Sequence, residues 1–349
     1  MLIQELHDIQ TSVGAIFGEL TTTEIVPVSF ANDAAAITAT KESVALCDRT
    51  HWGRIQISDS DRLRFLHNQS TNNINKLQPG QGCDTVFVTS TARTIDLATA
   101  YATEDALLIL VSPNRRRQLL ELLDRYIFPM DRVKLADLTD TTVAFSLIGP
   151  ESAKLLEKLG VSELENLPNA SHKLIKLAGI EVRVAMGSGL ASPGYTLIAA
   201  ATDAAKLWHE LVQAGAVPMG DRVWEQLRIE QGRPAADFEL TDDYNPLEAR
   251  LLHTITYDKG CYIGQETIAR LNTYKGVKQQ LWGIQLSGAV EPGTVVTIEE
   301  EKVGKITSVT ETQSGFFGLA YIRTKAGGAG LKVQVGEIVG EVVNVPFLS

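Results

Sequence analysis

At Lys278 the chain changes texture, and any fold for it has to accommodate that change. Beyond this point short β-rich segments at Gln280–Leu286, Thr294–Ile298, Val303–Thr310, Gly315–Ile322, Leu331–Val335 and Glu337–Val343 alternate with glycine-containing turns. Strands this short and this evenly spaced predict a small all-β barrel of about 70 residues. Upstream, helix and strand patterns mix without a regular βαβ repeat. Alternation predicts strands at Arg54–Ser58, Asp84–Thr89, Thr94–Tyr101, Ala106–Val111, Thr142–Ile148, Lys173–Leu177, Ile180–Met186 and Tyr195–Ala200. Helical spacing covers Ala34–Cys47, Asp61–Gln69, Asn114–Tyr126, Glu151–Leu159, Asp203–Ala214 and Asp221–Gln231, the last stopped by Gly232. The fold class that follows is α+β with an appended barrel.

A length of 349 residues exceeds what one small core organises, so two or three domains are expected. The formal net charge of −10 argues against non-specific binding to nucleic acid or to an anionic membrane. Three cysteines, Cys47, Cys83 and Cys261, are poor material for a disulfide framework, and Cys47 and Cys83 read as buried thiols. No C-x-x-C occurs and the six histidines are scattered, so no metal site is expected within the chain. The first residues lack a basic n-region with an apolar stretch behind it, and no apolar run reaches the roughly 20 residues that span a bilayer. The expectation is a soluble, cytoplasmic protein.

The richest segment chemically runs from Tyr257 to Arg270, YDKGCYIGQETIAR. Its second half has helical spacing that opens near Ile263 or Gly264. Cys261 would then precede a helix N-terminus with Lys259 two residues away, and both features favour a thiolate. Cys261 is therefore a candidate nucleophile or redox-sensitive group, set against the usual inertness of buried cysteine. Gly260 and Gly264 would let backbone N–H groups approach an anion closely.

Lys259 to Glu266, KGCYIGQE, resembles the signature of the YgfZ family of folate-binding proteins, relatives of the glycine-cleavage T-protein. Leu227 to Pro234 is similar to a Leu-Arg-x-Glu-x-Gly-x-Pro stretch shared with T-proteins, and Asn245 to Ala249 to their Pro-Leu-Glu-Ala segment. Asp48 to Gly53, Phe65-Leu66, Thr71-Asn72-Asn73, Pro79-Gly80-Gln81 and Ile95-Asp96-Leu97 match in the same order. The resemblance implies a three-domain T-protein-like fold (the aminomethyltransferase folate-binding fold) around a central opening, with a C-terminal β-barrel. It implies a discontinuous folate-binding core at 1–50 and 141–275, a second α+β domain at 51–140 and the barrel at 276–349.

The same resemblance implies roles. Tetrahydrofolate or another reduced folate would lie near Asp96, whose carboxylate can accept paired N–H bonds from a pterin edge. Arg228 would meet a carboxylate or stack on a flat ring. Trp52 and Tyr262 would offer aromatic faces, with Thr71, Asn72, Gly264, Gln265 and Glu266 completing the binding set. Cys261 and Lys259 would carry the chemistry. The implied function is a folate-binding accessory protein for iron–sulfur enzymes or their assembly factors. Its rivals are a folate-dependent aminomethyl- or methyltransferase, and a folate sensor without chemistry.

One departure bears on that choice. Where T-proteins carry a folate-contacting glutamate, the stretch Met186–Gly194 places Ala191 or Ser192, small and uncharged. Four features carry less. Gly187-Ser188-Gly189 precedes a strand and not the helix a dinucleotide fingerprint needs. Arg115-Arg116-Arg117 reads as one solvated helix face, Glu299-Glu300-Glu301 as a barrel turn, and His51 and His253 lack a catalytic partner at readable spacing.

Overall fold

The structure, a computed structural model, describes residues 2–20, 24–161, 164 and 167–348. The chain divides into two compact units. The first comprises Met1–Leu66, Ile74–Asp84 and Ala98–Trp224; the second comprises His67–Asn73, Thr85–Leu97 and Glu225–Ser349.

The first unit is built on a six-stranded sheet in the order His172–Leu177, Ile180–Met186, Gly194–Ala200, Thr142–Ile148, Ala45–Asp48 and Val217–Met219. Neighbours are antiparallel except the last pair, which is parallel. Alternate residues of these strands, among them Phe145, Leu147, Val182, Val184 and Leu197, point to one face. There they meet Leu6 of helix Leu2–Ser12 and Leu207, Trp208 and Leu211 of helix Ala204–Gln213 in one apolar core. A five-stranded sheet has the order Gly82–Val88, Thr94–Ala102, Ala106–Val111, Gly53–Ser58 and Lys134–Asp137, with residues 85–88 and 94–97 counted in the second unit.

In the second unit, strands Gln279–Leu286, Gly315–Arg323, Glu301–Thr312, Val295–Ile298, Lys332–Val335 and Ile338–Val343 close into the expected barrel, the last pairing back onto the first. Closure leaves no unpaired sheet edge. Ile284, Val296, Ile306, Ile322 and Val342 fill its interior. Other barrel side chains, Leu281, Leu319 and Tyr321, together with Val345 just after the last strand, pack against Val86, Val88, Leu97, Ile229 and Leu240.

Several expectations need correcting. The helix placed at Ala34–Cys47 ends at Glu42, and Ala45–Asp48 is a strand. The reason is the unbroken apolar run Val44-Ala45-Leu46-Cys47, buried all round, which a sheet interior accommodates and an amphipathic helix does not. Helix Leu2–Ser12 and the short strands Val26–Ser29, Lys134–Asp137 and Val217–Met219 were not expected from pattern. The arginine trio is no uniformly solvated face. Arg116 bonds Asp137 and Asp140, while Arg117 pairs along the helix with Glu121. Cys47 is buried as expected, whereas Cys83 is only half-buried. Among the described residues no helix is long and apolar enough to cross a membrane.

Candidate functional site

The expected helix opens where the glycine placed it. Gly264 is the N-cap residue of helix Gln265–Thr273, in the left-handed region at φ 80°. A Cβ there would lie 2.8 Å from the Thr89 carbonyl oxygen and 2.9 Å from Val88 Cγ2, so both conformation and space require glycine. Tyr262 and Ile268 bury the approach to the helix against Ala92, Leu247 and Ile255. Glu266 is exposed in the first helical turn, where a negative charge suits the helix dipole.

The loop before this helix is zipped to the segment 67–73 within the same unit. Thr71 Oγ1 donates to the Thr254 carbonyl (2.7 Å) and accepts from the Val86 amide (3.0 Å). The Thr256 amide donates to the Thr71 carbonyl (3.1 Å), and its hydroxyl donates to Asn72 Oδ1 (2.7 Å). The Ile263 amide donates to the Asn68 carbonyl (3.1 Å). Lys259 is the centre of this zipper. Its ammonium donates to the carbonyls of His67 (2.6 Å), Ser70 (2.6 Å) and Asn72 (2.7 Å). It also stands 4.6 Å from the centroid of the Tyr262 ring. Burial drives the Tyr262 phenol up to about 12. Burial, with the Lys259 charge second, lowers the His67 imidazole below its ordinary range.

Cys261 sits on this braced loop, and its side chain is exposed. The structure thus brings together Lys259, Cys261, Tyr262, Gly264 and Gln265 with Thr71 and Asn72. Gln265 reaches back to the Lys259 carbonyl at 3.4 Å. Chemically, the arrangement presents one accessible thiol on a braced turn beside a buried cation whose bonds go to backbone carbonyls.

The remaining expected residues lie elsewhere. Asp96 is in the same unit, on strand Thr94–Ala102, with its side chain wholly buried. Arg228 is also there, 1% exposed, and is held by carboxylates. It donates to Glu225 and, at 2.9 Å, to Glu239 Oε2, and a third bond reaches Ser308 Oγ on a barrel strand. Those charges raise its proton affinity against the opposing cost of burial. Trp52 belongs to the first unit, where it is buried edge-on to Trp224, and the Arg49 guanidinium lies over both rings.

That first unit also holds a polar cluster the sequence did not announce. Asp48 accepts from Gln10 Nε2 (2.7 Å) and from the Thr50 amide (2.8 Å). His51 Nε2 stands 3.9 Å from Asp221 Oδ1, and burial pushes its pKa down to about 3. Asp48 to His51 were legible as a motif. Gln10 was not, because nothing in helix Leu2–Ser12 marks one glutamine as an inward-facing partner. The departing loop is tied to itself. Ser188 donates to the Ser192 carbonyl (2.7 Å), and the Ser188 carbonyl accepts from Arg49 and Ser146.

Residues 6–259 match the GCVT N-terminal domain family. A chloroplastic protein of Arabidopsis thaliana whose name places it among transferases is 44% identical over 346 residues, covering 98% of this chain and 80% of its own. An aminomethyltransferase of Halalkalibacterium halodurans is 25% identical over 336 residues, covering 92% of this chain and 91% of its own. The glycine cleavage system aminomethyltransferase T of Bartonella henselae superposes with a TM-score of 0.88 at 18% identity, covering 98% and 97% of the two chains. The fold is thus the mixed α+β T-protein fold with its closed C-terminal barrel. By a match across most of its length, the chain belongs to the GCVT N-terminal domain family, with aminomethyltransferases among its relatives.

Proposed function

We propose that this protein binds tetrahydrofolate and serves in one-carbon group transfer of the aminomethyltransferase kind. The family match over residues 6–259 carries the reading, supported by the activities in the names of relatives aligned over most of both chains. Asp96 suits the pterin. A carboxylate can accept paired N–H bonds from a pterin edge, the role the resemblance implies for Asp96. Titration of the full chain with tetrahydrofolate and dihydrofolate tests this. Asp96→Asn, close in shape but uncharged, should weaken tetrahydrofolate by roughly tenfold or more, the size of one lost charge-assisted hydrogen bond. Absence of binding to either folate by the wild type defeats the reading. Turnover with an aminomethyl donor would establish the transfer.

Two observations favour a second reading, the accessory protein of the YgfZ type acting on iron–sulfur enzymes. Cys261 is exposed on a braced loop within KGCYIGQE, and no acidic side chain occupies residues 186–194 to replace the T-protein glutamate. On this reading the folate is retained and the thiol serves a partner. A Cys261→Ser chain that restores iron–sulfur enzyme activity in a null strain as fully as the wild type would remove it.

A further inference from the structure

The Lys259 ammonium has three N–H donors, and three backbone carbonyls take them. No donor is left over for an anion or a substrate. The acceptors, His67, Ser70 and Asn72, come from one short segment, and converging carbonyl dipoles of this kind are how proteins cage a desolvated cation. We infer that Lys259 is a positioning residue. Its ammonium is a built-in cation that fills a carbonyl nest in the segment 67–73 and thereby holds the Cys261 loop in register.

Several observations converge on this. Lys259 is 8% exposed while Gly260 and Cys261 are exposed, so the cation is the root of the loop and the thiol its outer face. A Cβ on Gly260 would come within 3.6 Å of His67 Nε2, so the two strands of the zipper stay close as far as the residue before the cysteine. The other bonds across the zipper, Thr256 to Thr71 and Ile263 to Asn68, flank Lys259 on both sides in sequence. Without its cation, the nest would leave three carbonyls facing one another at the middle of the zipper. Those carbonyls would be left unsatisfied and the three bonds that tie the loop to the segment would be lost, which frees the loop.

This inference rests on the second reading above, in which the Cys261 thiol serves a partner, but its test does not need folate. In Lys259→Ala the nest is empty and large enough for an external cation. In Lys259→Met the side chain fills the space without charge. The measurement is the rate at which iodoacetamide alkylates Cys261 in the intact chain, read by mass spectrometry of its peptide, with backbone hydrogen exchange at Thr256 and Ile263 alongside. Both variants should exchange these amides at least tenfold faster and depart from the wild-type alkylation rate by fivefold or more. Propylammonium or potassium chloride should return Lys259→Ala to within twofold of wild type, against matched choline chloride. Lys259→Met should not respond to either salt. Restoration by potassium, which carries no proton, separates a positioning cation from an acid or base.

Wild-type alkylation and exchange in both variants would overturn the inference, as would failure of both cations to restore Lys259→Ala. A wild type that binds no folate, with rescue intact, would instead count against the proposed function alone.

Discussion

His51 is neutral in the folded protein because burial, chiefly, and the Arg49 and Arg54 charges push its pKa from 6.5 to about 3. The unfolded chain takes up a proton there once the pH drops below 6.5, and the folded chain does so only near pH 3. Over that window the unfolded state binds more protons, so stability is full above pH 6.5 and falls as the pH falls, by up to about 1.4 kcal/mol per pH unit. His172, lowered to about 4 by burial and by Arg183, adds in the same direction. His51→Gln removes one contribution. Urea unfolding at pH 6.5 and 4.5 should show a stability loss smaller by about 2 kcal/mol in the variant than in the wild type. Parallel losses would mean that His51 is protonated inside the fold. At this scale the sequence was partly legible. Gly264 and Cys261 could be placed because their neighbours in sequence set their surroundings. The environment of Lys259 could not, because its acceptors are backbone carbonyls 187 to 192 residues away and leave no side-chain signature.

Helix Asp221–Gln231 was read from sequence with its observed ends, since Gly232 stops it at φ 84° and a Cβ there would strike Val345. What its pattern hid is the destination of Arg228. On the helix it is one residue of a polar face. In the fold it is the tie between Glu225 on the preceding turn, Glu239 in the turn beyond and Ser308 on the barrel, all within the second unit. Glu239 is wholly buried, so removing its partner strands a charge. Arg228→Met should therefore cost about 3–5 kcal/mol of stability, and adding Glu239→Gln should recover part of it because the stranded charge is gone. Denaturant midpoints of the single and double variants check this. If Arg228→Met instead keeps its stability and loses only affinity for tetrahydrofolate, the arginine belongs to the ligand, as the resemblance implied. Elements whose apolar period is unambiguous, such as Thr142–Ile148 and Ile180–Met186, were read with their observed bounds. The three- and four-residue strands Val26–Ser29, Lys134–Asp137 and Val217–Met219 were missed because so short a run carries no period to read, whereas the equally short Val295–Ile298 and Lys332–Val335 were read because glycine-containing turns bracket them.

At the scale of the whole molecule, the family match ends at residue 259 but the packing of the second unit does not. The barrel was visible as a change of texture, which suggests a separable domain. Yet Leu281, Leu319 and Tyr321 of the barrel wall, with Val345 and Leu348 of the tail that follows its last strand, complete a core with Val86, Val88, Leu97, Ile229 and Leu240. Alternation along a strand shows that one face is apolar. It does not show that residues near position 90 are what cover it, so this dependence was not legible. Burying a side chain of this size contributes about 1.5–3 kcal/mol, so losing five of them removes of order 10 kcal/mol, as much as a typical domain has in total. A chain ending at Lys275 should accordingly lose hydrogen-exchange protection at Val86, Val88 and Ile229. The six-stranded sheet should keep its protection, because its core of Phe145, Leu197, Trp208 and their neighbours draws no residue from beyond Ala216. Retained protection at Val88 and Ile229 in the truncated chain would show the barrel to be an appendage. Its loss would show that the second unit, with the Cys261 loop that stands on it, folds only when the C-terminal strands are present to close its core.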